Sequence, residues 1–222
     1  MKKILKILIF LLLIPWLYAL ILIWVNPPIT ITQLSNLSYG FSRTQLSYND
    51  MPSDTKWSVI AAEDQNFANH HGFDLKEIKT AYEKNKAGKK LRGGSTISQQ
   101  TAKNVFLWQG RTWIRKGLET YCTFIIETLW SKERILQVYL NNAEMGKGVY
   151  GIEAAAQYYF KKNASQLTPT ETARIIACLP NPKKYNVNPP SAYISKRTQW
   201  ILRQVRNIKY NKALSEIVNK KF

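Results

Sequence analysis

The sequence predicts an all-α domain behind a single N-terminal membrane-spanning helix, in a chain of 222 residues. An uncharged apolar run from Ile7 to Val25 is long enough to cross a bilayer core as a helix. After Trp57, apolar residues recur at helical spacing, and no alternating strand pattern stands out. A chain of this length fits one medium domain with an appendage. We therefore expect a cytoplasmic tip and anchor at residues 1–27, a linker at 28–55 and the main domain at 56–222.

The charges that flank the apolar run predict its orientation. Lys2, Lys3 and Lys6 precede it, whereas residues 26–42 carry no charge. Since basic residues stay on the cytoplasmic side, we expect the N-terminus inside and the domain outside. A cleaved signal peptide is the alternative, but it needs a shorter apolar core and a small-residue cleavage site. VNPPITIT at the end of the run offers no such site, which favours an uncleaved anchor.

The net charge is +18, and 29 basic residues face 14 acidic ones even without the three anchor lysines. Such a field attracts nucleic acid, anionic lipid headgroups or phosphorylated substrates. Because the domain is expected outside the cytoplasm, membrane and phosphate-bearing lipid are the expected partners and nucleic acid is not. Cys122 and Cys178 have no spacing signature. A disulfide is one interpretation in an oxidising compartment, and two buried thiols in apolar helices is the favoured one.

The elements follow in order. Residues 26–55 are rich in Ser, Thr, Asn and Pro and predict a linker with a short extended piece. A helix is expected from Trp57 to a stop at Gly72, and Asp74 with Glu77 has the spacing of a capping box for the next. The remaining expectations are a mobile basic loop at 84–94, a helix that starts within 95–100, helices at about 112–140, 152–160, 168–179 and 193–208, a turn at 146–151, and a loop at 180–190.

The stretch AAEDQNFANHHGFD at residues 61–74 collects residue types used for metal binding and acid–base chemistry. Two zinc ligands on a helix need i, i+4 spacing, whereas adjacent histidines point about 100° apart, so no metal site is expected. His70 and His71 are expected in the last helical turn, and Asp74 as an N-cap. Glu63 follows the apolar run VIAA, where desolvation would raise the pKa of a general base or acid. An ordinary, exposed glutamate with no catalytic role fits this sequence pattern at least as well.

Residues 84–118 contain nine basic residues and no acidic one. A charge run is usually a solvated face, but this one is interleaved with Gly, Ser, Thr, Gln and Trp, which shape or complete anion sites. Lys103, Arg111 and Arg115 have near-helical spacing that suits a diphosphate clamp. Glu119 lies four residues after Arg115, which also fits a modest intrahelical ion pair.

Five blocks in order resemble glycosyltransferase family 51, the peptidoglycan glycosyltransferases, and in particular its monofunctional biosynthetic transglycosylases with one short anchor. The blocks are EDQNFANHHGFD (63–74), RGGSTISQQTAKNVFL (92–107), RKGLE (115–119), KERILQVYLN (132–141) and GVYGIEAAAQYYF (148–160). No single block is specific, but five in this order are. The last block reads AAAQYYF, where many relatives have Ser within the small-residue run.

The resemblance implies a lysozyme-like glycosyltransferase domain that polymerises lipid II into linear glycan strands. It implies that Glu63 is the general base, that configuration inverts at the donor anomeric carbon, and that undecaprenyl diphosphate leaves. Glu119 would be the second catalytic glutamate and help to hold the diphosphate. The substrate-binding residues carried over from the family are Asp64, Phe67, Ser95, Thr96, Gln99, Gln100, Lys103, Arg111, Arg115 and Lys116.

The resemblance also implies the surroundings of the enzyme. The expected partners are lipid II, the growing glycan strand, the membrane and cell-wall synthesis proteins. The resemblance establishes no cofactor and leaves open whether a divalent cation, Mg or Mn, accompanies the substrate diphosphate. The expected location is the cell inner membrane, with one span and the catalytic domain in the periplasm, in service of cell-wall biogenesis and cell shape. No transpeptidase activity is expected.

Two other functions remain open on the sequence. A lysozyme-like hydrolase or lytic transglycosylase also uses a glutamate on a helical fold, but its leaving group is a sugar and needs no cationic cluster. A non-enzymatic, membrane-anchored module that binds anionic glycans or lipid would use the basic field alone.

Overall fold

The computed structural model describes residues 2–86, 94–110 and 112–221, and this part of the chain is mostly helical, as predicted. Its helices are α1 (Lys2–Ile21), α2 (Ile31–Ser35), α3 (Ser53–Glu63), α4 (Leu75–Lys86), α5 (Ile97–Phe106), α6 (Trp113–Leu129), α7 (Lys132–Asn142), α8 (Ile152–Phe160), α9 (Pro169–Ala177), α10 (Ala192–Ile208) and α11 (Lys212–Asn219). Short 3-10 turns lie at Leu37–Tyr39, Phe67–Asn69 and Ala164–Gln166.

Helix α1 is, within the described residues, the helix long and apolar enough to cross a membrane. Its apolar side chains, such as Phe10 and Leu17, are exposed, as expected of a surface that faces lipid. Length and composition suggest a single-pass anchor. The helix ends at Ile21, a few residues before the end of the apolar run.

The anchor helix is docked on the domain through hydrogen bonds as well as apolar contacts. The buried guanidinium of Arg134 donates to the carbonyls of Leu22 (2.9 Å) and Val25 (2.8 Å), just after α1 ends. Trp130 Nε1 donates to the carbonyl of Ala19 (2.8 Å). Since these carbonyls have no helical partner, a cation and a ring N–H are suitable donors for them.

The segment predicted as a linker, residues 28–55, is instead folded against the domain. Thr30 caps α2 through a capping box, and Arg43 donates to Asn142 Oδ1 (3.1 Å). Asn141 holds both backbone groups of Leu46, accepting from its N–H (3.0 Å) and donating to its carbonyl (2.9 Å). The polar composition that suggested a linker therefore serves hydrogen bonds to the domain.

The core forms where two helical groups pack together. Helix α5 packs against α6 and α7, and α3 packs against α9 and α10. Ile60, Ile97, Ile135 and Ile176 are among the fully buried side chains that fill the space between them. The C-terminal end of α3 and the N-terminal half of α5 meet at the boundary of the two groups.

Several predicted elements differ in detail. The region 112–140 is two helices, because the chain is extended at Trp130 and Ser131 begins α7 as its N-cap. The expected turn at 146–151 belongs to a small sheet, in which β3 (Val149–Tyr150) pairs in parallel with β1 (Ser42–Arg43) and antiparallel with β2 (Glu144–Gly146). Helix α11 was not predicted. The expected loop at 84–94 overlaps the end of α4, and its residues 87–93 lie outside the described residues.

Candidate active site

Glu63 is the last residue of α3, because the helix ends there rather than at Gly72 as predicted. Asp64 has an extended backbone, with φ of −162°. The prediction that His70 and His71 occupy the last helical turn is therefore wrong. Glu63, Phe67 and His70 therefore do not lie on one helix.

Asp64 holds this end of α3 against the start of α5. Its buried carboxylate accepts from the backbone N–H of Ile97 (3.0 Å) and lies 2.9 Å from His70 Nε2. A buried carboxylate needs such partners, and a backbone N–H at a helix start is a favourable one. His70 is thereby a structural partner of Asp64. No group of three His, Cys, Asp or Glu side chains that could hold a metal occurs within the described residues.

The loop after His70 is packed tightly against α5 and α6. Gly72 has a φ of +87°, and a Cβ on it would lie 2.7 Å from Thr123 Cγ2. Its carbonyl accepts from Thr96 Oγ1 (2.7 Å). Glycine is needed here because of both the left-handed backbone and the lack of space. Asp74 then caps α4, accepting from the N–H of Glu77 (3.0 Å), as predicted.

Glu63 is half-buried, and its carboxylate receives a hydrogen bond from α5. Gln100 Nε2 donates to Glu63 Oε2 (2.9 Å), and Tyr139 Oη donates to Gln100 Oε1 (3.0 Å). Tyr139 thereby fixes the amide so that its NH₂ group faces the carboxylate. Burial raises the pKa of Glu63 above its ordinary value, against the Gln100 hydrogen bond and the charge of Arg197, which lower it. A raised pKa and partial exposure suit a general base.

A cationic cluster, Lys103, Arg115 and Lys116, surrounds Glu119 on α5 and α6. Arg115 Nη1 lies 2.8 Å from Glu119 Oε2, and Lys116 Nζ lies 2.5 Å from Glu119 Oε1. The i, i+4 ion pair predicted from the sequence is present. Glu119 is only 3% exposed, so its charge needs both partners. The Nε–H of Arg115 is buried and has no hydrogen-bond partner within the described residues.

Lys103 connects this cluster to Glu63. It interacts electrostatically with both Glu63 and Glu119, and also with Arg115 and Lys116. Burial lowers the pKa of Lys103, and the charge of Glu119 opposes that shift. The two glutamates predicted as catalytic therefore belong to one electrostatic group, with a cation between them.

The other predicted site residues separate into two sets. Gln100 lies at the Glu63 carboxylate, and Ser95 is partly exposed beside it, its carbonyl 3.5 Å from Gln100 Nε2. Phe67 is fully buried, and Thr96 and Gln99 form the capping box of α5, so with Asp64 they lie behind the site. Their predicted contact with substrate stays a prediction. Arg111 lies outside the described residues.

Two residues near Glu63 were not predicted to belong to the site. Tyr139 donates a hydrogen bond to Gln100, which binds the Glu63 carboxylate, and Arg197 interacts electrostatically with Glu63. Tyr139 sits in the block KERILQVYLN, one of the five that resemble the family. Arg197 sits in the basic helix α10, far from Glu63 in the chain. Local spacing contains no signal for either contact. The resemblance placed the block in the family but did not single out this tyrosine.

The fold is of the helical, lysozyme-like class of enzymes, and a half-buried glutamate, Glu63, lies at its candidate site. The family described as transglycosylase matches residues 30–206, and the chain belongs to that family. The lysozyme-like fold of this family confirms the fold class that was predicted from the sequence. The match begins inside the segment that had been predicted as a linker.

Several relatives carry the name biosynthetic peptidoglycan transglycosylase. The relative from Mannheimia succiniciproducens is 52% identical over 176 residues, covering 79% of this chain and 72% of the relative. The one from Pseudomonas aeruginosa is 46% identical over 193 residues, covering 83% of each chain. The one from Xanthomonas campestris is 57% identical over 151 residues, covering 68% of this chain and 61% of the relative.

The two neighbouring carboxylates should have opposite effects on stability. The folded pKa of Glu63 is raised, so above the unfolded value of about 4.3 its charge costs stability. We expect Glu63→Gln to raise Tm at pH 7, with a difference that shrinks as the pH falls through the folded pKa and is lost below about 4. Asp64→Asn should lower the free energy of unfolding by about 1–3 kcal/mol, since it weakens a satisfied buried carboxylate. Thermal unfolding at both pH values checks this, and equal shifts in one direction would contradict it.

Proposed function

We propose that this protein is a peptidoglycan glycosyltransferase that polymerises lipid II. The observation that carries the proposal is the position of Glu63 beside a cationic cluster, with Lys103 interacting with both Glu63 and Glu119. A base and an anion site side by side suit transfer of a sugar from a diphosphate carrier. The relatives' names support the same conclusion.

In the proposed reaction, Glu63 takes the proton of the acceptor 4-hydroxyl while that oxygen attacks the donor anomeric carbon. The bond to the undecaprenyl diphosphate oxygen breaks, and configuration inverts. A base works best with a pKa near the working pH, which supports assigning this role to the carboxylate whose pKa burial raises. The Gln100 N–H holds one oxygen of Glu63 and leaves the other free for the proton.

The leaving diphosphate gains negative charge as the glycosidic bond breaks, so clustered cations would stabilise the transition state. Lys103, Arg115 and Lys116 are in position for this. The unpaired Nε–H of Arg115 supports an anionic ligand here, because an unsatisfied buried donor is costly. Both oxygens of Glu119 are paired with cations. A divalent ion would thus need the diphosphate oxygens as ligands, and the proposed steps do not depend on one.

The lipid carrier explains why the site lies near the anchor. An apolar groove of about 860 Å³ runs between α1 and the helices α5 and α6. Leu118 and Cys122 line it, within one turn of Glu119. We propose that the polyprenyl chain of the substrate lies in this groove or in the adjoining bilayer, while its diphosphate reaches the cluster. The binding of other cell-wall synthesis proteins to this protein stays a prediction.

Replacement of Glu63 tests the chemistry. We expect Glu63→Gln to lower polymerisation of lipid II by about 10²–10⁴-fold, since the amide accepts no proton. The assay follows glycan length and release of undecaprenyl diphosphate by the full-length protein in detergent. Glu216→Gln, an exposed glutamate on α11, is the matched control and should retain full activity.

The same assay separates the rival functions. Polymer with released diphosphate supports the glycosyltransferase. Shortening of an added glycan strand would indicate the hydrolase, and no turnover by the wild type would indicate a binding module. Retained polymerisation by Glu63→Gln would rule out Glu63 as the base.

Replacement of Lys103 tests the anion site. Lys103→Met should weaken binding of undecaprenyl diphosphate by at least tenfold, because a desolvated cation at the phosphate is lost, and Lys103→Arg should restore part of it. Titration calorimetry in detergent measures this affinity. Lys212→Met, on α11 and exposed, is the control. An unchanged affinity in Lys103→Met would remove Lys103 from the diphosphate site.

The orientation of the anchor is a further part of the proposal. Three lysines before the apolar run support an N-terminus in the cytoplasm and a periplasmic domain. The native thiols give a quiet background for labelling, since they are buried and burial raises the pKa of Cys122 to about 11 and of Cys178 to about 12. An impermeant maleimide should label Lys221→Cys in intact spheroplasts, and Lys2→Cys only after permeabilisation. The reverse pattern would invert the topology.

A further inference from the structure

Arg197 reaches from α10 to the end of α3. Its Nη2 donates to the carbonyl of Ala62 (3.0 Å), the residue immediately before Glu63. Its Cζ lies 4.1 Å from the centre of the Trp200 ring, which holds the guanidinium in place from the same helix. The carbonyls at a helix C-terminus carry partial negative charge, so a cation is favourable there.

One donor of this guanidinium is not used. The Nε–H of Arg197 is buried, and no hydrogen-bond partner for it exists within the described residues. An unpaired buried donor costs about 1–3 kcal/mol. Such a cost is tolerated more readily where the positive charge itself is needed. Arg197 binds the carbonyl of Ala62, and the next residue in the chain is Glu63. The Glu63 carboxylate is therefore the anion next to this contact in the sequence.

The groups that face Glu63 come from five elements. The charged or titratable ones that interact with it electrostatically are Asp64 after α3, Lys103 on α5, Tyr139 on α7, Cys178 at the end of α9, and Tyr193 and Arg197 on α10. Among these described groups, Lys103 and Arg197 are the cations. Asp64, burial and the C-terminus of α3 all disfavour a charged Glu63.

The two cations have different further contacts. Lys103 also faces Glu119, Arg115 and Lys116, and in the proposed function it meets the substrate diphosphate. When the diphosphate is bound, the charge of Lys103 is shared with it. Arg197 lies on α10 rather than on α5 or α6, where the cluster lies, and it contacts Ala62 on α3 and Trp200 on its own helix. Its charge remains available to Glu63 throughout.

We propose that Arg197 is a positioning residue that keeps Glu63 ionised and in place as the base while Lys103 is engaged with the diphosphate. This inference rests on the proposed function, in which Glu63 accepts the proton. The guanidinium acts on the carboxylate through its charge, and on the α3 terminus through the Ala62 hydrogen bond. Arg197 does not itself need to touch the substrate.

Two substitutions separate the charge from the hydrogen bond. Arg197→Gln removes the charge, and its amide, two bonds shorter than the guanidinium Nη2, does not reach Ala62. Arg197→Lys keeps the charge and loses the planar fork. Arg203→Gln, an exposed arginine on the same helix, is the matched control. Thermal unfolding of each full-length variant confirms that it is folded before kinetics are compared.

The readout is the pH dependence of kcat in lipid II polymerisation. Because loss of a nearby cation raises the pKa of a carboxyl, the acidic limb of Arg197→Gln should move to higher pH by about one unit. At a pH on that limb, kcat then falls by roughly tenfold, whereas KM changes less than about threefold. Arg197→Lys and Arg203→Gln should keep the wild-type limb.

An unmoved limb in Arg197→Gln would overturn the proposal, as would a limb that moves equally in Arg203→Gln. A change in KM alone would show that Arg197 binds substrate instead. If Arg197→Gln does not fold, Arg197→Lys still tests the proposal, because lysine keeps the positive charge. A shifted acidic limb in Arg197→Lys would then count against an effect of the charge. Failure of the proposed function is distinguishable, because Glu63→Gln would then retain turnover whatever Arg197 does.

Discussion

The contact on which the site depends is the hydrogen bond from the N–H of Ile97 to the buried carboxylate of Asp64. It joins the C-terminal end of α3 to the N-terminal end of α5. As a result, Glu63 on one helix faces Gln100, one turn into the other. A buried charge cannot be left without partners, so Asp64 restricts the two helices to arrangements in which His70 and Ile97 both reach it.

Where α3 and α5 meet, opposing electrostatic effects act on the pKa of Glu63. Burial, the neighbouring Asp64 and the negative end of α3 raise its pKa, whereas Gln100, Arg197 and Lys103 lower it. A carboxyl with only the first set would be protonated and unable to accept a proton. A carboxyl with only the second set would be a weak base. The site holds both sets in balance, and the supporting residues come from α5, α7 and α10.

Some features were predictable because their signals are local. Asp74 as an N-cap, Thr168 with Pro169 at the start of α9, and the Arg115–Glu119 pair each depend on residues within one turn of one another. The buried, unpaired cysteines also followed from their apolar neighbours. The end of α3 was missed because Asp64 leaves the helix for partners elsewhere in the fold. The segment 28–55 was missed because its polar side chains bond to α7, which composition does not reveal.

The sequence by itself determined the membrane-spanning length of the N-terminal run, the helical class of the domain, the cationic run after Glu63 and, through five ordered blocks, the family. These depend on composition, periodicity and order along the chain. Only the tertiary structure decided which residues near Glu63 lie in the site and which lie behind it. It placed Phe67 in the core, Tyr139 behind Gln100 and Arg197 at Ala62. The physical reason is that a pKa and an open cleft depend on distances between helices, and residues far apart in the chain set those distances.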